Sequence, residues 1–289
     1  MTLENITPIG HISSASGLVQ LGQVIYVIGD DTPFLHVLDL NLQAKSDHPI
    51  YPIASMSGKK IPKAIKPDFE AMEALNENEL LVFGSGSLSP QRDILIHINL
   101  EKPDPVYTQY SLTEFYDALK KMPQMKGVEL NIEGLAISDN QLFLFNRSNN
   151  LIFSFPKNGV LDYLMSEGPF IQPQIYTYQL PEIGGIQSKF SGATYLPEAS
   201  SLLFTSSVED TDNAYDDGAV LGSFIGKIIV EEDGLSPFFE QAQVTSEGKP
   251  LKVESITIEK VLEKGKVKVI CCTDSDGGIS VLLRATLSW

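Results

Sequence analysis

One short pattern returns five times along the chain at nearly even spacing. Each copy is a serine or glutamate, a small residue, then an apolar or small one: Ser16-Gly17-Leu18, Glu70-Ala71-Met72, Glu133-Gly134-Leu135, Ser191-Gly192-Ala193 and Glu254-Ser255-Ile256. The intervals between them are 54, 63, 58 and 63 residues. A strand-like run follows each: Val24–Ile28, Leu80–Phe83, Leu142–Phe145, Leu202–Thr205 and Val267–Cys272. A third strand follows in every repeat (Phe34–Leu40, Asp93–Leu100, Leu151–Phe155, Gly226–Val230, Ile279–Leu287). A fourth is expected in most, for example at Val106–Tyr110 and Ile175–Gln179. These runs are rich in β-branched and aromatic residues and end in turn formers. Four strands per repeat describe an all-β fold, a β-propeller in a single domain over residues 1–289. Five blades rather than six account for the length. A two-sheet sandwich has no reason to place the same residue at the same phase.

The ends agree with closure. The last repeat stops at Trp289 after three strands, and a strand over Asn5–Ile12 precedes the first repeat. That strand can complete the fifth blade and leave no open ring edge. One helix is expected after Ser111, where Glu114 three residues on suggests a capping box and Phe115, Tyr116 and Leu119 share a face.

Composition narrows the function. With 43% hydrophobic residues a packed core is expected, and a formal charge of −16 argues against a nucleic-acid polymer as partner. No apolar run is long enough for a membrane span, so no membrane partner is expected. Residues 1–10 have neither a basic segment nor an apolar one, so the chain as given reads as cytoplasmic, or as secreted or periplasmic had a leader been removed. A monomer is expected. Cys271 and Cys272 are adjacent, which disfavours a disulfide between them.

In a propeller the first strand of each blade lines the central channel. Ser16, Glu70, Glu133, Ser191 and Glu254 should therefore converge at its mouth. Three facing carboxylates repel, and protons, a lysine or arginine, or a metal must neutralise them. Calcium suits an irregular oxygen set best, whereas zinc would want histidine or cysteine at these phases. Alternatively, the glutamates serve backbone N–H groups between blades.

The ordered set Ser, Glu, Glu, Ser, Glu, one per blade, resembles the calcium-activated apyrases, five-bladed propeller nucleotidases with an axial calcium ion. The resemblance implies that Ser16, Glu70, Glu133, Ser191 and Glu254 are calcium ligands. Gly29-Asp30-Asp31-Thr32 looks like the family's acidic turn after the second strand, where an aspartate sits near the attacking water, and Arg147 falls where the family has an arginine. The blade-two loop Gly84-Ser85-Gly86-Ser87 lacks the family's lysine and tryptophan. Asn131–Ala136 also resembles a turn of phytase-like esterase propellers.

Two functions follow. The first is a calcium-dependent hydrolase of a phosphorylated or otherwise anionic small molecule. Asp30 or Asp31 would handle the water, Arg147 would hold developing charge, and Lys66, Arg92, Lys189, Glu209 and Asp210 would border the substrate. The second is a non-catalytic propeller with a structural calcium, whose top face binds a sugar, peptide or protein. The acidic stretch Ser206–Gly222 reads as a solvated loop, a second cation site or a lid.

Overall fold

A computed structural model of the chain describes residues 1–12, 14–57, 60–166, 168–211, 218–246, 250–274 and 279–289. The chain opens with β1 (Thr2–Pro8). Blade one follows as β2 (Ala15–Leu21), β3 (Val24–Gly29), β4 (Phe34–Asp39) and β5 (Ala44–Pro49). Blade two is β6 (Phe69–Asn76), β7 (Glu79–Gly84), β8 (Ile94–Asn99) and β9 (Val106–Ser111). After α1 (Thr113–Lys120) comes blade three: β10 (Ile132–Ile137), β11 (Gln141–Asn146), β12 (Leu151–Pro156), α2 (Lys157–Ser166) and β13 (Gln174–Thr177). A small hairpin, β14 (Glu182–Ile183) with β15 (Ile186–Gln187), leads to blade four. That blade is β16 (Lys189–Leu196), β17 (Ser201–Asp210), β18 (Ala219–Glu231) and β19 (Gly234–Val244). Blade five is β20 (Lys252–Glu263), β21 (Lys266–Asp274) and β22 (Val281–Ser288), with β1 as its outermost strand. Five blades are thus present, and the N-terminal strand closes the ring through antiparallel pairing of β1 with β22.

The first strands β2, β6, β10, β16 and β20 touch one another in a closed circuit about the axis. The small residue after each Ser or Glu explains how they approach so closely. A Cβ at Gly192 would lie 2.6 Å from the Glu254 carbonyl oxygen and 2.7 Å from the Ser255 Cα. Backbone cannot yield there, so Gly192→Ala should cost about 1–3 kcal/mol by overpacking. A urea midpoint unchanged by this substitution would contradict the close approach.

Burial holds the blades together. Each of the five gaps between neighbouring blades contains its own cluster of buried apolar side chains. Strand β11 shows how. Leu142 and Leu144 face the gap to blade two, while Phe143 and Phe145 face the gap to blade four. Both faces of the strand are covered, so its sequence is continuously apolar rather than alternating. Cys271 and Cys272 follow the same rule, one in each flanking gap, and both thiols are free.

Some local expectations change. The capping box does not form: α1 starts at Thr113, Leu112 is its N-cap, and no side chain caps it. Ser111 ends β9 instead, where its hydroxyl accepts the Thr113 N–H at 3.3 Å. Phe115, Tyr116 and Leu119 are buried as expected, and α2 was not foreseen. Ser206–Gly222 is not simply a loop, because β17 runs to Asp210 and β18 resumes at Ala219.

Candidate functional site

In every first strand the ladder slips at the same place. The register shifts between Ala15 and Gly17, Phe69 and Ala71, Ile132 and Gly134, Phe190 and Gly192, and Val253 and Ser255. The residue skipped is the repeating Ser or Glu. A β-bulge re-aims its side chain relative to the regular pleat. Ser16, Glu70, Glu133 and Glu254 accordingly line an axial cavity of about 110 Å³.

A second set of residues recurs two positions earlier: Ser14, Asp68, Asn131, Lys189 and Lys252. Each faces a residue of the second strand of its blade near that strand's end, or the residue just after it. The N–H groups of Asp30, Ser85 and Arg147 donate to the carbonyls of Ser14, Asp68 and Asn131, while Lys189 pairs with Ser207 and Lys252 with Asp274. Ser14, Asp30, Asp68, Asn131, Arg147, Lys252 and Asp274 all reach the cavity.

Two ion-pair networks flank the axis. On the side of blades one and two, Lys66 Nζ contacts Asp30 and lies 2.6 Å from Asp68, and Arg92 Nη1 is 2.5 Å from Asp68 and 2.7 Å from the Ser87 hydroxyl. Carboxylate oxygens of Asp30, Asp68 and Glu70 all lie within 4.8 Å of one another. On the side of blades three to five, Arg147 contacts Glu209 and lies 3.6 Å from Glu133. Lys252 Nζ is 3.0 Å from Glu209, 3.3 Å from Glu254 and 3.7 Å from Asp274.

The cavity lining is not charge-balanced. Seven carboxylates (Asp30, Asp68, Glu70, Glu133, Glu209, Glu254, Asp274) face five cations (Lys63, Lys66, Arg92, Arg147, Lys252). Glu254 is only 4% exposed, yet no hydrogen bond reaches either of its carboxylate oxygens. Burial pushes its acid up to about 8, with Glu133 and Glu209 adding repulsion and Lys252 and Arg147 opposing it. Burial likewise raises Glu133, and raises Glu70 well above the usual range, where Asp68, Glu133 and Asp30 repel it further. Asp30 rises to about 6, first through burial, against the pull of Lys66. Burial opposes the charges of Lys66, Arg147 and Lys252, but the surrounding carboxylates outweigh it and hold all three protonated.

The expected site residues divide. Ser16, Glu70, Glu133, Glu254, Asp30, Arg147, Lys66, Arg92 and Glu209 come together at the cavity. Four do not line it. Ser191 is 1% exposed and donates its hydroxyl to the Val253 carbonyl at 2.6 Å, an inter-blade tie, as Ser16 ties to the Phe69 carbonyl. Asp31, beside Asp30 in the turn after β3, opens onto an adjoining cleft of about 550 Å³, paired with Lys60 at 2.5 Å. Asp210 alternates with Glu209 and is exposed at the end of β17. Lys189 donates to the Ser148 carbonyl at 3.2 Å, and burial together with the repelling Arg147 guanidinium lowers its pKa. Of the acidic stretch Ser206–Gly222, Asp212, Asp216 and Asp217 lie outside the described residues. Asp68 and Ser14 escape a reading of the repeat that starts at the ring residue. The signal that finds them is the polar residue two places before it in all five copies.

Below the cavity, Glu73 of β6 crosses the channel to a non-adjacent blade. Its carboxylate accepts the Thr194 hydroxyl of β16 at 2.8 Å and the Ala74 N–H at 2.8 Å.

Solved structures align over almost the whole chain. Myxococcus xanthus glutaminyl cyclase is 9% identical, with a TM-score of 0.54, covering 99% of this chain and 96% of that one. A mutant of Cellvibrio cellulosa α-L-arabinanase is 11% identical, with a TM-score of 0.52, covering 98% and 93%. At such identity the likeness is one of fold. No curated protein matches the chain. A family model matches residues 11–287, and the chain belongs to the family it describes, the family of unknown function DUF6929.

Proposed function

We propose that the axial cavity binds a divalent cation, calcium, and hydrolyses a small phosphorylated or otherwise anionic molecule, in the manner of the apyrase-like or phytase-like propellers. The observation that carries the cation is Glu254, a buried carboxylate with both oxygens lacking a hydrogen bond, in a lining that has two more acids than bases. A divalent ion would satisfy both conditions. Glu70, Glu133 and Glu254 would be its carboxylate ligands, with Ser16 beside them and Asp30 and Asp68 nearest to Glu70. Ser16 donates its proton to a backbone carbonyl, so its lone pairs stay available. Bound calcium would polarise a substrate oxygen or a water.

The chain's own residues have separable roles in this reading. Asp30, with its acid near 6, is suited to accept a proton from water close to neutral pH. Arg92 lines the cavity and keeps Nε and Nη2, one edge of its guanidinium, buried without hydrogen-bond partners, an edge able to pair with two oxygens of an anion. Lys66, Arg147 and Lys252 hold the outer carboxylates in place.

One observation favours a second reading, a structural calcium in a binding propeller. Arg147 and Lys66 are committed to carboxylates rather than offered to a ligand. Phosphate release from a panel of nucleotides and phosphoesters, with calcium and with chelator, separates the two. Turnover that requires calcium and is lost in Asp30→Asn supports the hydrolase. Calcium binding without turnover on any substrate supports the binding propeller.

A further inference from the structure

Away from the axis, α1 and the end of α2 meet at the blade-two and blade-three side of the molecule and border a cleft of about 610 Å³. This is the size of a small-molecule site. Tyr110, Phe115 and Tyr163 supply aromatic walls, Leu164 and Met165 an apolar floor, and Glu114 a carboxylate. The rings form a fixed set, with Tyr163 5.4 Å from Phe170 and 6.0 Å from Phe115 between centroids. Phe115 is itself packed on Phe155 of the blade core at 5.5 Å.

The charge of the cleft has one sign. Among the described residues no lysine, arginine or histidine lines it. Tyr163, Leu164 and Met165 belong to the last turn of α2, which carries no basic residue, so no side chain of that turn offsets the partial negative charge of the helix end. The Glu114 carboxylate also acts on the Tyr163 phenol, whose pKa is raised by burial and then by that charge. Aromatic faces, a carboxylate and a helix C-terminus all favour a positive guest. One carboxylate is too few to strip water from a metal ion, which would take six or more oxygens. A weakly hydrated organic cation needs no such set.

We infer that this cleft binds a small organic cation of the alkylammonium class, its alkyl groups against Tyr110 and Tyr163 and its charge facing Glu114. The inference does not depend on calcium or on hydrolysis at the axis. Choline is a suitable probe, titrated into the full chain and followed by amide NMR shifts. The expected result is saturable shifts confined to Tyr110–Phe115 and Tyr163–Met165. Affinity should fall at least fivefold in Glu114→Gln, an exposed position that leaves packing intact, and at least fivefold in Tyr163→Leu, while Tyr163→Phe stays within twofold of the parent. Absence of saturable shifts in the tens-of-millimolar range would overturn the inference. So would equal binding of choline's uncharged carbon isostere, or an affinity unchanged by Glu114→Gln.

Discussion

Calcium at about a hundred times its dissociation constant should raise the melting temperature by about 5–10 °C, and chelation should reverse the rise. An ion that binds only the folded state at that excess stabilises it by about 2.7 kcal/mol. For a chain of this size each kcal/mol moves the midpoint by about 2–4 °C. The physical basis is the cavity lining, where seven acids face five bases and Glu254 is buried without a hydrogen bond. The same reasoning gives an asymmetric expectation for Glu254→Gln. Without calcium at neutral pH the variant should melt higher than the parent, because burial, with repulsion from Glu133 and Glu209, pushes the Glu254 acid up to about 8 despite the pull of Lys252 and Arg147, so the parent must take up a proton to fold and glutamine need not. With calcium the parent should gain and the variant should not. Differential scanning calorimetry in calcium and in chelator reads both. A parent midpoint that moves by less than about 1 °C in millimolar calcium would remove the cation from the cavity, and the proposed chemistry with it.

The second large effect concerns Glu73, and it is expected in calcium-free buffer. Its acid is pushed up to about 7 from 4.5 by burial, against hydrogen bonds from Ala74 and Thr194. Because the folded-state value lies above the unfolded one, the folded chain holds the extra proton. Its contribution to stability is complete below about 4.5 and is lost as pH rises through about 7. Glu70, Glu133 and Glu254 are raised as well and push in the same direction. Stability should therefore fall between pH 5 and pH 8. Glu73→Gln keeps an oxygen for the Ala74 N–H, while its amide N–H donates to the Thr194 hydroxyl, and it carries no charge. At pH 8 it should be more stable than the parent by about 3 kcal/mol, and at pH 5 by far less. Urea denaturation at the two pH values measures the difference. An equal effect at both would mean that the carboxyl does not titrate in this range.

Much of the architecture was legible in the order of residues, for reasons visible at particular positions. Leu142–Phe145 is apolar throughout because alternate side chains enter two different gaps. Gly17, Ala71, Gly134, Gly192 and Ser255 are small because five first strands crowd one axis. The terminal strand could be assigned to the fifth blade because that repeat ran out one strand short. The α1 start was misplaced because Ser111 serves the end of β9 rather than a helix cap.

The site was legible as a set of residue types and less so as a set of directions. Asp30 and Asp31 are equivalent in sequence, and so are Glu209 and Asp210, yet in each pair a single residue enters the axial cavity: Glu209 and Asp210 point opposite ways because they are successive residues of β17, and the turn after β3 aims Asp30 at the axis and Asp31 at the adjoining cleft. Ser16 and Ser191 occupy the same repeat position, but only Ser16 remains at the cavity wall.

Sequence by itself determined the five-fold repeat, the closure and the acidic character of the axis, since these depend on local periodicity and on residue type at a fixed phase. Tertiary structure alone decided which charges neutralise one another. Lys66 joins its near neighbour Asp68 to Asp30 of blade one, and Lys252 joins its near neighbour Glu254 to Glu209 and Asp274, and these longer links span separations that no local pattern encodes. Coulomb interaction in a buried cavity depends on distances of a few ångströms, and those are set only when all five blades have closed around the axis.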